Sequence, residues 1–239
     1  MDILLSTPDY VVINKPAGIG MHQEADEPGI VRLLSEQLGE AVYPVHRLDK
    51  VTTGVLLLAR HSQANRELSV QFAERKVGKC YLALSASKPS KKQGLIKGDM
   101  EKARGGSWKL SRSLLNPAIT RFHSCLLSDD VLTGAALIHP LRGFLLQPLT
   151  GKTHQLRVAL KSQASPILGD ARYGGIASDR VYLHAWQLRF SYQGEQVCVR
   201  APLNAGEHFV RHGAQLSQWA ESLLDTPSPN STPSPTIAA

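Results

Sequence analysis

Among the side chains of this 239-residue chain that could do chemistry, one carboxylate stands out by its company. Asp49 lies in His46-Arg47-Leu48-Asp49-Lys50-Val51-Thr52-Thr53-Gly54, among cations, and the run continues directly into Val55-Leu56-Leu57-Leu58-Ala59. That leucine-rich stretch opens after a glycine, as a core strand does. A carboxylate on the loop feeding such a strand is held by a rigid scaffold, and a neighbouring guanidinium keeps it ionised at neutral pH. An ionised carboxylate so placed can act as a nucleophile or a general base. The plainer reading of an isolated Asp-x-x-Thr is a surface Asx-type turn.

A second constellation, Thr150-Gly151-Lys152-Thr153-His154-Gln155-Leu156-Arg157, follows a strand-like segment and opens a helical one. Gly151 permits a tight turn and Thr153 is expected to cap the helix. Lys152, His154 and Arg157 then fall close enough to the free amides of the helix start to meet an anion or a carboxylate there. The segment resembles a phosphate-binding Gly-Lys-Thr, but the position five residues before Gly151 is Leu146 instead of glycine, which argues against a nucleotide-triphosphate site. Tyr81, in Lys79-Cys80-Tyr81-Leu82-Ala83, alternates as a strand residue and reads as well as a core aromatic. The turn-rich Pro166-Ile167-Leu168-Gly169-Asp170-Ala171-Arg172-Tyr173-Gly174-Gly175 reads most simply as a structural loop.

The elements that must position these residues follow from periodicity. Strands are predicted over 10–14, 54–60, 79–86, 119–127, 134–139, 143–149, 181–190 and 196–200, and helices over 30–38, 62–76, 153–163 and 206–224. Consecutive strands with short links, such as 134–149 broken at Pro140-Leu141-Arg142, imply antiparallel pairing and an α+β class. Cys80, Cys125 and Cys198 form an odd set in strand-like stretches and are expected to be buried thiols.

A hydrophobic content of 42% excludes disorder throughout and allows a substantial core. The 27 Lys and Arg against 20 Asp and Glu, a net charge of +7, favour a polyanionic partner such as nucleic acid. Much of that charge falls in 88–112, where Lys88, Lys91, Lys92, Lys97, Lys102, Arg104, Lys109 and Arg112 face only Asp99 and Glu101, around Gly105-Gly106 and Trp108. This segment reads either as a mobile arm gripping phosphates or as a solvated insertion loop. Residues 225–239, dominated by Pro, Ser and Thr, are expected to form a disordered tail. No secretory signal or membrane-length apolar stretch is visible, so a cytoplasmic location is expected.

In order along the chain, Asn14-Lys15-Pro16-Ala17-Gly18, His46-Arg47-Leu48-Asp49, Lys79-x-Tyr81, Thr150 to Arg157, Leu168-Gly169-Asp170 and Leu183-His184-Ala185 together resemble the RluA-type family of RNA pseudouridine synthases. The resemblance implies a catalytic domain over 1–224 with a basic insertion at about 88–112. Its fold would be a mixed, mainly antiparallel central sheet with flanking helices and a cleft between two lobes. It also implies isomerisation of a specific uridine in ribosomal or transfer RNA, with the target base flipped out, no metal and no organic cofactor.

Asp49 takes the place of the family's essential carboxylate, Arg157 that of its ion-pair partner, and Tyr81 that of the tyrosine that stacks on the target base and assists proton removal. Arg47 would fill the space left by the extruded uridine, and Leu156 would pack against the base. His46 and Lys79 belong to the same motifs and are expected at the substrate, while Lys97, Lys102 and Arg104 are candidates for gripping the RNA. With Asn14-Lys15-Pro16 so near the start, no separate N-terminal RNA-binding module is expected, and the protein is expected to be a monomer with no obligate partner. Two other readings compete: a non-catalytic RNA-binding or chaperone protein on the same fold, and a hydrolytic glycosidase. The latter would want a second carboxylate facing Asp49, and no segment offers an obvious one.

Overall fold

A computed structural model of the chain describes residues 1–23, 27–134 and 137–225, with side chains described outside 128–139. In chain order the elements are β1 (Asp2–Ser6), β2 (Tyr10–Lys15), α1 (Ile30–Leu38), β3 (Tyr43–Pro44), β4 (Thr53–Ala59), α2 (Ser62–Ala73), β5 (Gly78–Ser85), β6 (Gln93–Gly98), β7 (Met100–Lys102), β8 (Trp108–Leu110), β9 (Ala118–Gly134), β10 (Leu137–Pro148), α3 (Gln155–Ser162), β11 (Leu183–Tyr192), β12 (Glu195–Arg200) and α4 (Glu207–Leu224). One large sheet runs β1-β2-β4-β11-β5-β10-β9-β6, with β12 added to β11 and β3 to β4, while β7 and β8 form a separate ribbon. Strand pairing is antiparallel apart from β4 against β11. The architecture is the mixed, mainly antiparallel sheet with flanking helices that the sequence predicts.

The apolar run after Asp49 becomes β4, and all of β4 is buried. Its side chains alternate between faces: Val55, Leu57 and Ala59 pack with Ala64 and Leu68 of α2, whereas Leu56 and Leu58 pack with Ile30 and Leu34 of α1. Burial on both faces is why this strand reads as a continuous apolar run. Each leucine fully removed from water contributes about 1.5–3 kcal/mol, so β4 is a firm anchor for the loop that precedes it. The parallel contact, Thr53 opposite His184 and Gly54 opposite Ala185, sits at the start of this strand. Gly54 has φ +108° there, and a Cβ would collide with the backbone of Ala185.

The predicted breaks differ in instructive ways. The strands predicted at 134–139 and 143–149 belong to one hairpin arm: Leu137–Pro148 is continuous, and Pro140-Leu141-Arg142 produces a bulge against β9 where a chain break was expected. The basic segment 88–112 is neither a loose arm nor an unstructured loop. It supplies β6 to the edge of the main sheet and then folds into the β7–β8 ribbon around a tight 3-10 turn at Arg104–Gly106. Cys80 is buried and Cys125 half-buried, but Cys198 is exposed, because it alternates with the inward-facing Val199 on β12. Beyond Asp225, the expected disordered tail lies outside the described residues.

Candidate active site

The Asp49 loop is pinned from below by Lys15, at the end of β2. Its buried ammonium donates to the carbonyls of Pro16 (2.9 Å), Lys50 (3.3 Å) and Thr52 (3.0 Å). Backbone bonds from Thr52 N–H to Asp49 O (3.0 Å) and from Gly18 N–H to Lys50 O (2.9 Å) complete the turn. Burial lowers the Lys15 pKa to about 8, against the pull of the Asp49 charge. Sequence reasoning gave this lysine no role; the available signal was a cation closing the apolar Val11-Val12-Ile13.

Helix α3 brings the second constellation to Asp49. Thr153 does not cap it. His154 occupies the cap position in a left-handed conformation (φ 55°) with no side-chain capping bond. The turn is organised by Gln155 instead. Its Oε1 accepts from Thr150 Oγ1 (2.8 Å) and Lys152 N–H (3.0 Å), and its Nε2 donates to Ile119 O and Thr120 Oγ1, both at 3.0 Å. Thr153, one residue before the cap position, is exposed. Lys152 turns away to donate to Asn116 Oδ1 at 2.9 Å.

The carboxylate of Asp49, about one-fifth exposed, has its Oδ2 3.6 Å from Arg157 Nη1 and 4.0 Å from His154 Nε2. The ion pair expected between Asp49 and Arg157 is therefore present, but it is not the main attachment of the guanidinium. Arg157 donates from Nε and Nη2 to the two oxygens of Asp170, each at 2.8 Å, in a fork-to-fork pair buried from solvent. Burial opposes the charge on Arg157, yet the hydrogen bonds to Asp170 and the charges of Asp170 and Asp49 outweigh it and raise its pKa. Asp170 thus aims the third nitrogen of Arg157 at Asp49, and the turn-rich segment 166–175, in sequence a plain structural loop, supplies the clamp of the site.

A cleft of about 450 Å³ opens in front of Asp49, and Arg47, Lys79, Tyr81, His154, Leu156 and Arg157 are among its lining residues. Tyr81, half-buried on β5, has its pKa raised by burial and by the charge of Asp49, which keeps the phenol un-ionised at neutral pH. Burial and the nearby Arg75 lower the pKa of Lys79. Arg47 is exposed and Leu156 is buried. His46 also borders the cleft, but its Nε2 accepts the Leu57 N–H (3.1 Å) and its ring stacks on Phe72 with centroids 4.6 Å apart. Burial lowers its pKa to about 3. This histidine is a neutral brace between the loop and β4.

The other three basic candidates do not line this cleft. Lys97 lies on β6, Lys102 ends β7 and Arg104 starts the 3-10 turn, and all three are exposed. The ribbon that carries Lys102 and Arg104 is nevertheless tied to the site: Arg172 Nη1 donates to Gly105 O (2.7 Å), and the Trp108 N–H donates to the hydroxyl of Tyr173 (3.1 Å).

A carboxylate beside a clamped guanidinium, with a protonated phenol in the same cleft, is an arrangement for attack on a substrate or for proton removal from it. A match to the family model for RNA pseudouridylate synthases over residues 9–162 agrees with that class, and the chain belongs to this family. It is an RNA pseudouridine synthase, an isomerase. An uncharacterized RNA pseudouridine synthase of Haemophilus influenzae is 46% identical over 214 residues, covering 88% of this chain and 91% of the relative. The tRNA pseudouridine synthase C of Haemophilus ducreyi is 31% identical, with 80% and 86% covered, and the ribosomal large subunit pseudouridine synthase C of Rickettsia bellii is 31% identical, with 84% and 68% covered. Among solved structures, human RNA pseudouridylate synthase domain containing 1 superposes with a TM-score of 0.74 at 25% identity, covering 96% of both chains.

Proposed function

We propose that this enzyme isomerises a uridine in ribosomal or transfer RNA with Asp49 as the reacting carboxylate, acting on a nucleotide flipped into the 450 Å³ cleft. The observation that carries the reading is the approach of Arg157 Nη1 to Asp49 Oδ2 at 3.6 Å while Asp170 fixes the rest of the guanidinium. Asp49 thus faces a fixed guanidinium while remaining about one-fifth exposed to the cleft.

The reaction breaks the bond from the sugar C1′ to N1 of uracil, turns the detached base, and forms a bond from C1′ to C5. The proton on C5 then leaves and the freed N1 takes up a proton, so that no atom is gained or lost overall. Asp49 acts either as nucleophile at the sugar or the base, or as the base that removes a ribose proton. Tyr81 offers a face for stacking, and its raised pKa argues that any part in moving the C5 proton is played by a neutral phenol. Unstacking a uridine costs a few kcal/mol, offset by stacking on Tyr81, packing on Leu156 and occupation of the vacated space by the exposed Arg47.

A glycosidase reading would need a second carboxylate free to exchange protons with substrate. Asp170 is near, but it is 1% exposed and both its oxygens accept from Arg157, so it does not meet that need. Asp49→Asn should abolish tritium release from RNA labelled at C5 of uridine while RNA affinity is largely retained. Persistent release would refute the assignment.

A further inference from the structure

Tyr173 and His154 form a chain of contacts that none of the roles above uses. Tyr173 is 2% exposed and sits where three elements meet. Its hydroxyl accepts the Trp108 N–H from β8 at 3.1 Å and lies 2.7 Å from His154 Nδ1. Its ring faces the Arg157 guanidinium, 4.9 Å from the centroid. The other nitrogen of His154, Nε2, points to Asp49 Oδ2 at 4.0 Å. His154 holds this position with φ 55°, a backbone conformation uncommon outside glycine and found where surrounding structure enforces it.

Donor and acceptor accounting decides where the imidazole proton sits. A backbone N–H can only donate, so the Tyr173 oxygen is the acceptor toward Trp108 and retains one proton to give. Given to His154 Nδ1, that proton leaves the hydrogen of the neutral ring on Nε2, facing the carboxylate. In the opposite tautomer the tyrosine proton would have no partner in this chain of contacts, and the Nε2 lone pair would face a negatively charged oxygen. Burial lowers the pKa of His154, which favours the neutral ring.

We propose that Tyr173, itself fixed by the β7–β8 ribbon, is a positioning residue that locks the tautomer of His154, so that a neutral Nε2–H donor is held toward Asp49 beside the guanidinium of Arg157. The 4.0 Å separation leaves the carboxylate free to react, and the donor closes on it as substrate orders the site. The ribbon is therefore part of the machinery that orients the carboxylate as well as a bearer of surface charge.

This inference rests on the reading of Asp49 as the reacting group, and the test separates the two. Single-turnover rates at saturating RNA are measured for Tyr173→Phe, His154→Gln and the double variant, with RNA affinity and thermal midpoint alongside. Tyr173→Phe keeps the ring over Arg157 and removes only the hydroxyl. It should slow the reaction about tenfold with RNA affinity unchanged, and it should have no further effect once His154 is Gln, because a residue acting through another loses its effect when that other is gone. Equal losses in both backgrounds would overturn the proposal.

Nitrogen-15 NMR of the histidines in the unsubstituted protein, with the His154 signal identified by its loss in His154→Gln, reads the tautomer without activity or variant folding. Nε2–H is expected, and a proton on Nδ1 would overturn the proposal. If Asp49→Asn kept its rate while His154 showed Nε2–H, the reading of Asp49 would have failed and the tautomer lock would stand.

Discussion

At the scale of single residues, the site separates groups that react from groups that hold. Asp170 belongs to the second class. Removing one member of a buried ion pair leaves an uncompensated charge, which typically costs about 3–5 kcal/mol. Asp170→Ala is therefore expected to lower unfolding stability by about that amount and to reduce the rate as well, whereas Asp49→Asn should reduce the rate with little change in stability; urea denaturation of the two variants checks the contrast. Two histidines, His184 buried and His46 half-buried, make a separate prediction. His46, lowered to about 3, accepts the Leu57 N–H, and His184, lowered to about 4, has Nδ1 against Thr53 Oγ1 (2.7 Å) and Nε2 against Ala201 O (3.2 Å). Burial is the first cause in both. Between pH 6.5 and about 4 the unfolded chain binds protons that the folded protein refuses, so stability rises with pH and falls on acidification. Each histidine contributes about 1.4 kcal/mol per pH unit in that window. Unfolding stability should drop steeply from pH 6.5 to pH 5, where ordinary carboxylates hardly titrate, and His46→Gln should flatten the slope.

At the scale of elements, Gly54 and Gly18 test what fixes the start of β4. Both have positive φ, +108° and +83°, so an alanine strains either backbone. At Gly18 a Cβ meets nothing within 4 Å, while at Gly54 it collides with the Ala185 backbone across the parallel junction. Gly18→Ala should cost about 1–2 kcal/mol and Gly54→Ala about 3 kcal/mol or more, with the second also displacing the Asp49 loop; denaturant midpoints measure the difference. The same contrast between local and distant causes explains what the sequence reveals. Helix α1 and strand β4 were legible because period 3.6 and a two-sided apolar run are properties of adjacent residues. Asp49, Tyr81 and Arg157 were legible through motifs on single segments. Lys15, Asp170 and Tyr173 show no role in the sequence, because the partners that give them one lie 35 to 37, 13 and 65 residues away. The ribbon in 88–112 is hidden for the same reason: its strands are three residues each, with one lysine apiece, and it is held by a bond from Arg172 and by the Trp108 N–H bond to Tyr173.

At the scale of the whole molecule, the charge of +7 acquires a direction from how the two acidic residues of 88–112 are used. Glu101 pairs with Lys109 at 3.1 Å across the ribbon. Asp99 accepts from Ser113 Oγ (2.6 Å) and from the Leu115 and Asn116 amides (3.2 and 2.9 Å), folding the loop that follows. Both carboxylates are thus engaged, Glu101 inside the ribbon and Asp99 by the loop that follows it, and Lys97, Lys102 and Arg104 are exposed. If these cations touch RNA phosphates, each contact releases condensed counterions, and the logarithm of affinity falls with the logarithm of salt by about 0.7–0.9 per contact. Replacing Lys97, Lys102 and Arg104 by Gln together should therefore weaken RNA binding at low salt and make the salt dependence shallower by about 2 in that slope. Fluorescence titrations of a labelled RNA from 50 to 300 mM salt, on the order of the range where such slopes are read, decide the matter. A parallel downward shift with the slope intact would mean that the ribbon supports the cleft without contacting phosphate, since losing a structural contact weakens binding equally at every salt concentration.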